Sequence, residues 1–387
     1  MKPLLYLMPV AITVACVASS PAQAIELKAK GFIKVGAVGA NRAVNSFGQE
    51  NLAAPTAARP QGDFTLLDKE VTSFQAAQTR LGMEAIVDPT TRGYVEFDFI
   101  DFTKASPTTQ MVPRVRIAKI DYDFSETRRL TVGQDWDIFS PTNTSTYNYV
   151  GNNFQAGNSG FMRSQAILTD RHGDLEMRYA LGMVGSNATA TNADIEKSDL
   201  PTFAVAAAYG TGMNRVGVSA IGSRLKLADG SPRGYASRGV YGLSAFGEKS
   251  VGTGSIRAEV YTSQNLENTG SLTLSRGRAA TSVRDVGGFL SGKFPLDEAW
   301  SLFGTAGLAT VRNKGAVSNA STLTAGRRSF DATTLGITTN VAVKLGIDHK
   351  LSEKLSWFTE LSRFNTVFKD FGNGHSYVVD AGLFLSI

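Results

Sequence analysis

From residue 27 to the C-terminus, apolar side chains recur at every second position in segments of roughly ten residues, the length and period of a strand that crosses a membrane. This pattern constrains the fold more than any other feature of the chain. Leu175, Met177, Tyr179 and Leu181 share one face of such a segment, with Glu176 and Arg178 on the other. Ile256, Ala258 and Val260 alternate in the same way with Arg257, Glu259, Tyr261 and Ser263. In a water-soluble sandwich the apolar face would be filled with bulky, interlocking residues. Here it holds many Ala, Gly and isolated Val, which pack poorly against a core but sit well against lipid tails. Helical periodicity is hard to find, and no stretch beyond residue 24 approaches the roughly 18 apolar residues of a membrane helix.

Followed along the chain, the alternation predicts sixteen strands: 27–39, 76–87, 92–103, 112–124, 129–139, 161–170, 174–183, 201–210, 214–227, 237–247, 255–264, 284–294, 300–311, 335–348, 355–366 and 376–387. The links between them alternate strictly in length. Tight links such as Asp88-Pro89-Thr90-Thr91, Arg171-His172-Gly173 and Pro295-Leu296-Asp297-Glu298 alternate with long polar ones, the longest being 40–75, 140–160, 184–200, 265–283 and 312–334. One end of the structure is therefore trimmed and the other decorated, as in all-β transmembrane antiparallel barrels with short periplasmic turns and long extracellular loops. Phe124, Tyr209, Phe294, Trp300 and Trp357 all lie beside short links and in phase with the apolar face, where an interfacial aromatic girdle belongs.

Residues 1–24 read as an export signal. Lys2 precedes an apolar run from Leu4 to Ala18, and Ala22-Gln23-Ala24 gives the small-x-small pattern, so cleavage is expected after Ala24. The apolar run is too short for a membrane anchor. A lipoprotein signal is disfavoured because Thr13 stands where a larger aliphatic residue is preferred before Cys16. The expected layout is a signal over 1–24 and one barrel domain over 25–387, located in the outer membrane. Cys16 is the only cysteine, so the exported chain has no disulfide, and removal of Lys2 takes its charge from +5 to +4. Stability must then come from the closed hydrogen-bonded ring. The positive charge is mild and spread along the chain, unlike a nucleic-acid footprint.

The last strand alternates Tyr377, Val379, Ala381, Leu383, Leu385 and Ile387 outward to the final residue. It resembles the C-terminal strand read by the outer-membrane insertion machinery, although that signal usually ends in Phe and this chain ends in Ile387, with Phe384 three residues back.

Several short motifs resemble the DcaP-type porins, trimeric sixteen-stranded outer-membrane channels. Gly31-Phe32-Ile33-Lys34 is similar to that family's G-Y-I-K opening strand, and Gln78-Thr79-Arg80-Leu81-Gly82 to its Q-S-R-F-G strand. Gly133-Gln134-Asp135-Trp136-Asp137-Ile138-Phe139 resembles its G-Q-x-W-x-x-F strand, and Arg163-Ser164-Gln165 an arginine-containing strand just after it. The likeness is clearest over residues 29–170. It implies a homotrimer and an inward-folded constriction loop over 140–160. Two features depart from the family: no coiled-coil segment precedes the first strand, and Ser140 to Gly160 carries no charged residue. The family's preference for dicarboxylate-like anions therefore does not transfer directly.

If the apolar phase faces lipid, the opposite phase lines the interior. It carries Lys28, Lys30, Lys34, Arg80, Glu84, Glu96, Asp98, Lys119, Asp121, Glu176, Arg178, Arg257, Glu259, Lys344 and Glu360. Lysines dominate the first strand, where no acid follows Glu26, and elsewhere acids and bases alternate. The expectation is a pore for small hydrophilic solutes with a mild anion preference. Arg363 falls on the lipid phase and is expected near the outer rim, paired with lipid phosphate or lipopolysaccharide. Small residues at Ala204 to Ala208 or Gly36 to Gly39 are candidates for subunit contacts.

Two other readings stay open: a closed barrel whose loops act as an adhesin or surface structure, and an outer-membrane enzyme. The enzyme reading has little support, because His172, His349 and His375 fall in turns or a loop and the sequence holds no G-x-S-x-G, H-E-x-x-H or cysteine ligand cluster. No cofactor or metal is expected.

Overall fold

A sheet with oil on one face and water on the other leaves no edge that lipid could tolerate, so its first and last strands must meet. They do. The computed structural model describes residues 25–42, 70–100, 112–147, 153–182, 198–228, 235–266, 271, 273–274, 282–317, 337–369 and 372–387. The first half of the sheet contains β1 Glu26–Ala40, β2 Val71–Gln75, β3 Arg80–Ile86, β4 Thr91–Asp98, β5 Arg114–Asp123, β6 Arg128–Trp136, β7 Met162–His172 and β8 Leu175–Gly182. The second half contains β9 Ser198–Thr211, β10 Asn214–Ala228, β11 Tyr235–Val251, β12 Gly254–Gln264, β13 Arg284–Pro295, β14 Trp300–Val311, β15 Ile337–Lys350, β16 Leu355–Phe368 and β17 Gly372–Ser386. Each strand pairs antiparallel with its sequence neighbour, and β1 closes the ring on β17 from Phe32↔Ser386 to Ala40↔Val378.

The seventeen segments make sixteen crossings, because β2 and β3 both pair with β1 and form one crossing interrupted at residues 76–79. The alternation predicted one strand over 76–87 after a link ending at 75, so β2 falls within the predicted link and residues 76–79, expected in the strand, leave the ladder. At the interruption the Thr79 hydroxyl takes the place of the missing ladder, accepting from Lys34 N–H and donating to Lys34 C=O, each at 3.1 Å. The other strands lie close to their predicted spans, and 300–311 agrees at both ends. Ala22 to Ala24 and most of the long links fall outside the described residues.

The outer face is apolar around the ring, with Val35, Met83, Ile120, Leu181, Val218, Leu243, Val260, Leu290, Val343, Leu361 and Val379 all exposed. Phe124, Tyr209, Phe294 and Trp300 stand outward beside the short turns, and Trp357 meets Trp300 edge-on at 6.2 Å. The turns at this end carry their own caps. Asp88 accepts from the Thr90 hydroxyl and from the N–H groups of Thr90 and Thr91, and the Thr90 bonds hold its carboxyl below the ordinary range. Asp297 caps its turn through the N–H groups of Trp300 and Ala299.

One irregularity shapes the interior. β5 bulges, so that Arg116 and Ile117 are both buried, and the ladder to β4 shifts register between Glu96 and Phe97. On the other side of β5, Gln134 donates to the carbonyls of Val115 and Arg116 and satisfies the acceptors the bulge exposes. Gly133, at φ +135°, lies so close to β5 that a Cβ would stand 2.2 Å from the Ala118 carbonyl oxygen. Gly133→Val should therefore cost about 1–3 kcal/mol from backbone strain alone. The urea midpoint of the barrel in liposomes should fall, and an unchanged midpoint would show that the bulge relaxes freely.

Candidate functional site

The barrel interior is divided by the segment that follows β6, and the Gly133–Phe139 motif launches it. Asp137 Oδ1 accepts from the N–H groups of Phe139 and Ser140, both at 3.1 Å, and turns the chain off the wall. Its Oδ2 holds the returning strand through Phe161 N–H and Arg163 Nη2, each at 3.3 Å. Ile138 and Phe139 are fully buried, and Phe139 packs with Ile221, Val240, Tyr261 and Leu266 on the far side of the ring. Trp136 lies beneath the Arg116 guanidinium, 5.4 Å from carbon to ring centroid.

The segment then runs along the wall formed by β10 to β17 and β1. Ser140 donates to Glu259 at 2.6 Å, Ser145 N–H to Ser291 at 2.7 Å, and the Thr146 hydroxyl and Tyr147 N–H to Glu360 at 2.7 Å. The Tyr147 ring stacks on Phe358 at 4.6 Å, with Phe303 and Phe384 edge-on. On the return path Asn153 donates to Thr305, and Asn340 donates to Gln155 C=O. Backbone meets backbone here: a Cβ on Gly307 would lie 2.0 Å from the Ala156 carbonyl oxygen. An uncharged segment suits this position, because its hydroxyls and amides satisfy buried carboxylates without bringing unpaired charge indoors.

Lys34 joins this segment to the barrel seam. Its ammonium donates to Asp380 and to Gln78 Oε1, each at 2.7 Å, and to the Tyr147 carbonyl. Lys34 and Asp380 are both buried. The other first-strand lysines also face acids, Lys28 with Glu26 at 3.3 Å and Lys30 with Glu84 at 3.4 Å. The expectation of three unopposed lysines is thereby revised, since two of the acids come from neighbouring strands.

The opposite wall, β3 to β8, is left clear. Between it and the inward segment lies a cavity of about 240 Å³ lined by Lys119, Asp121, Arg129, Asp135, Arg171 and Arg178, among others. Above it Arg114 and Arg116 converge on Asp98, and Arg116 also pairs with Glu96. Arg80 rests over the Phe32 ring, and Lys344 lies over that of Phe364.

Toward the short-turn end a repeated unit appears, with two arginines sharing one carboxylate. Arg92 and Arg129 share Asp123, Arg171 and Arg178 share Glu176, and Arg215 and Arg257 share Glu248, at 2.5 to 4.0 Å. Within these three units six guanidiniums face three carboxylates, while beside them the single Lys119 meets both Asp121 and Asp135. Arg92, Asp123, Arg129, Arg171, Arg215 and Glu248 were not among the sequence candidates. Short turns fix hairpin register, so the pairings Asp123↔Arg129, Arg171↔Glu176 and Glu248↔Arg257 were readable from turn position, whereas Arg215↔Glu248 spans a longer link.

Three expectations for the outer face change. Arg363 sits opposite Val343 and Tyr377, six positions above Trp357, which puts it near mid-height and away from the rim. Ala206 and Ala208 face inward and are buried, so of that run only the alternate positions face out. His375 belongs to β17 rather than a loop. It is exposed opposite Asn365, and among the described residues no side chain bonds to it.

No family model matches the chain, and no curated protein does. Solved structures do match. The outer-membrane channel DcaP of Acinetobacter baumannii superposes with a TM-score of 0.71 at 12% identity, covering 94% of this chain and 97% of that one. An anion-selective porin from Comamonas acidovorans gives 0.58 at 10% identity, covering 94% and 100%. OprB of Pseudomonas putida gives 0.58 at 9%, covering 93% and 94%. The chain therefore has the fold of the DcaP channel, as its motifs led us to expect.

Lys34→Met would leave Asp380 buried without its cation. Breaking such a pair costs about 3–5 kcal/mol. The barrel should unfold at lower temperature in heat-modifiable gel migration, and Lys34→Met with Asp380→Leu should recover most of the loss. A Lys34→Met barrel as stable as the parent would remove the seam from this role.

Proposed function

We propose that the chain is an outer-membrane porin through which small hydrophilic solutes diffuse, with a mild preference for anions. The observation that carries this reading is the asymmetric interior. On one wall Glu259 and Glu360 are occupied by the inward segment, and Asp380 by Lys34. The clear wall keeps two of the paired-arginine units, those on Asp123 and on Glu176. In a water-filled passage that surplus sets the local potential and hence the ion preference. Residues 140–160 serve as the constriction loop. The charged positions anticipated on the inner phase act as pore lining, though Lys28, Lys30 and Lys34 contribute little net field.

Residues 1–24 are a secretory signal cleaved after Ala24, and the C-terminal strand is recognised by the insertion machinery. No catalytic role is assigned. The enzyme alternative would return if lipid hydrolysis were found and were lost in His375→Ala.

The subunits assemble as a homotrimer. A lipid-facing guanidinium near mid-height costs about 2–4 kcal/mol, yet Arg363 stands there, and among the described residues its side chain meets the Tyr377 ring, at 5.8 Å. Its strand leads through β17 and β1, where Ala37 and Gly39 face out, to Phe74, which is 77% exposed. A neighbouring copy covering this face would remove both penalties.

Purified protein in planar bilayers should show ion-permeable conductance steps, whereas a closed adhesin-like barrel would show none. In a salt gradient the reversal potential should report anion preference. Replacing Arg129, Arg171 and Arg178 with Gln should lower the anion-to-cation permeability ratio about two-fold or more, and an unchanged ratio would refute the role of the arginine units. Arg363→Glu should convert the trimer to monomer on semi-native gels while the monomer stays folded, and a persistent trimer would place the contact elsewhere.

A further inference from the structure

At the long-loop end of β13 and β14, two arginines face outward side by side. Asp285 and Val311 are paired and buried inward, so Arg284 and Arg312, the next pair in register, project from the outer face. Their backbones are joined by Arg312 N–H donating to Arg284 C=O at 2.8 Å. Like charges directly opposite on a strand pair repel, yet no carboxylate among the described residues meets either one. Arg284 Nε donates to the neutral Gln264 side chain at 2.9 Å, and no side-chain bond of Arg312 occurs among the described residues. Lys314 follows, also exposed.

This rim is firmly built. Asn313 accepts from Arg284 N–H and donates to Ser282 C=O, each at 2.8 Å. Lys369, just past the end of β16, donates to the carbonyls of Gly315 and Val317 and braces the segment that follows β14. The two guanidiniums are therefore held together against their mutual repulsion by ordered main chain.

Their height identifies the partner. Arg312 lies twelve positions beyond Trp300 at the short-turn end. Twelve residues of a tilted strand rise about 30 Å, slightly more than the roughly 25 Å apolar band of such barrels. The pair thus stands just past the hydrocarbon, at the level of the outer leaflet's headgroups. We propose that Arg284 and Arg312, with Lys314, bind the phosphate of a phosphorylated glycolipid in the outer leaflet. A phosphate oxygen set can accept from both guanidinium forks at once and converts the like-charge pair into a shared, charge-assisted contact. The proposal rests on the outer-membrane orientation given above.

The test uses the full-length protein in glycolipid-free detergent, titrated with lipid A bisphosphate, its dephosphorylated form, or inorganic phosphate, with bound lipid counted by native mass spectrometry. The bisphosphate should bind about ten-fold more tightly than the dephosphorylated lipid, and Arg284→Gln with Arg312→Gln should abolish that difference. Arg284→Lys with Arg312→Lys should keep part of it. Equal binding of both lipids, full retention by the double Gln variant, or competition by millimolar inorganic phosphate would each overturn the assignment. If the double variant fails to fold, Arg312→Gln alone decides, because no side-chain bond of Arg312 is lost among the described residues. Lys314→Cys labelled by an impermeant maleimide on intact cells tests orientation separately. Labelling with no phosphate dependence sinks the lipid site alone, whereas labelling only after permeabilisation sinks the orientation.

Discussion

One ammonium group ties together the parts of this barrel that sequence order keeps apart. Lys34 reaches Asp380 across the closing seam, Gln78 at the interruption between β2 and β3, and the Tyr147 carbonyl on the inward segment. A buried cation needs several acceptors to offset its lost hydration, and here they come from β1's two neighbours and from the inward segment. Closure of the ring, the broken crossing and the placement of the segment thus satisfy one requirement together. The Thr79 hydroxyl repairs the Lys34 main chain at the same point, so the ammonium can be served without leaving backbone groups unpaired.

The fold was largely legible in the sequence, because a side-chain period of two assigns each strand its faces without knowledge of its neighbours. Residues 175–181 and 256–263 were read correctly on both faces for that reason. Register is another matter. The partner of Lys34 lies 346 positions away on β17, and alternation gives no hint of which residues come level across a seam. The acids opposing Lys30 and Lys34 were invisible on the same ground. Arg363 was misplaced in height because phase fixes the side of a strand but not the level, which depends on where neighbouring turns begin.

The motif over Gly133–Phe139 shows how a short run can carry tertiary information. Gly133 allows close approach to β5, Gln134 repairs the bulge, Trp136 lies beneath Arg116, and Asp137 turns the chain inward. Each residue answers to a different partner, which is why the pattern was recognisable before the partners were known. The shared carboxylates near the short turns had a weaker signal. They needed hairpin register as well as phase, and the arginines at the starts of β4, β6 and β10 could be weighed only with both.

The inward segment touches its wall through main-chain carbonyls and glycine gaps as much as through side chains, as at Ala156 against Gly307. The charged residues that face the open cavity belong to different strands and mostly do not hold that segment in place. On the porin reading proposed above, obstruction and selectivity are consequently separable traits in this architecture. Under that reading, exchanging wall arginines would retune which solutes pass while the partition stays where it is, so descendants of such a chain could change diet without rebuilding the gate.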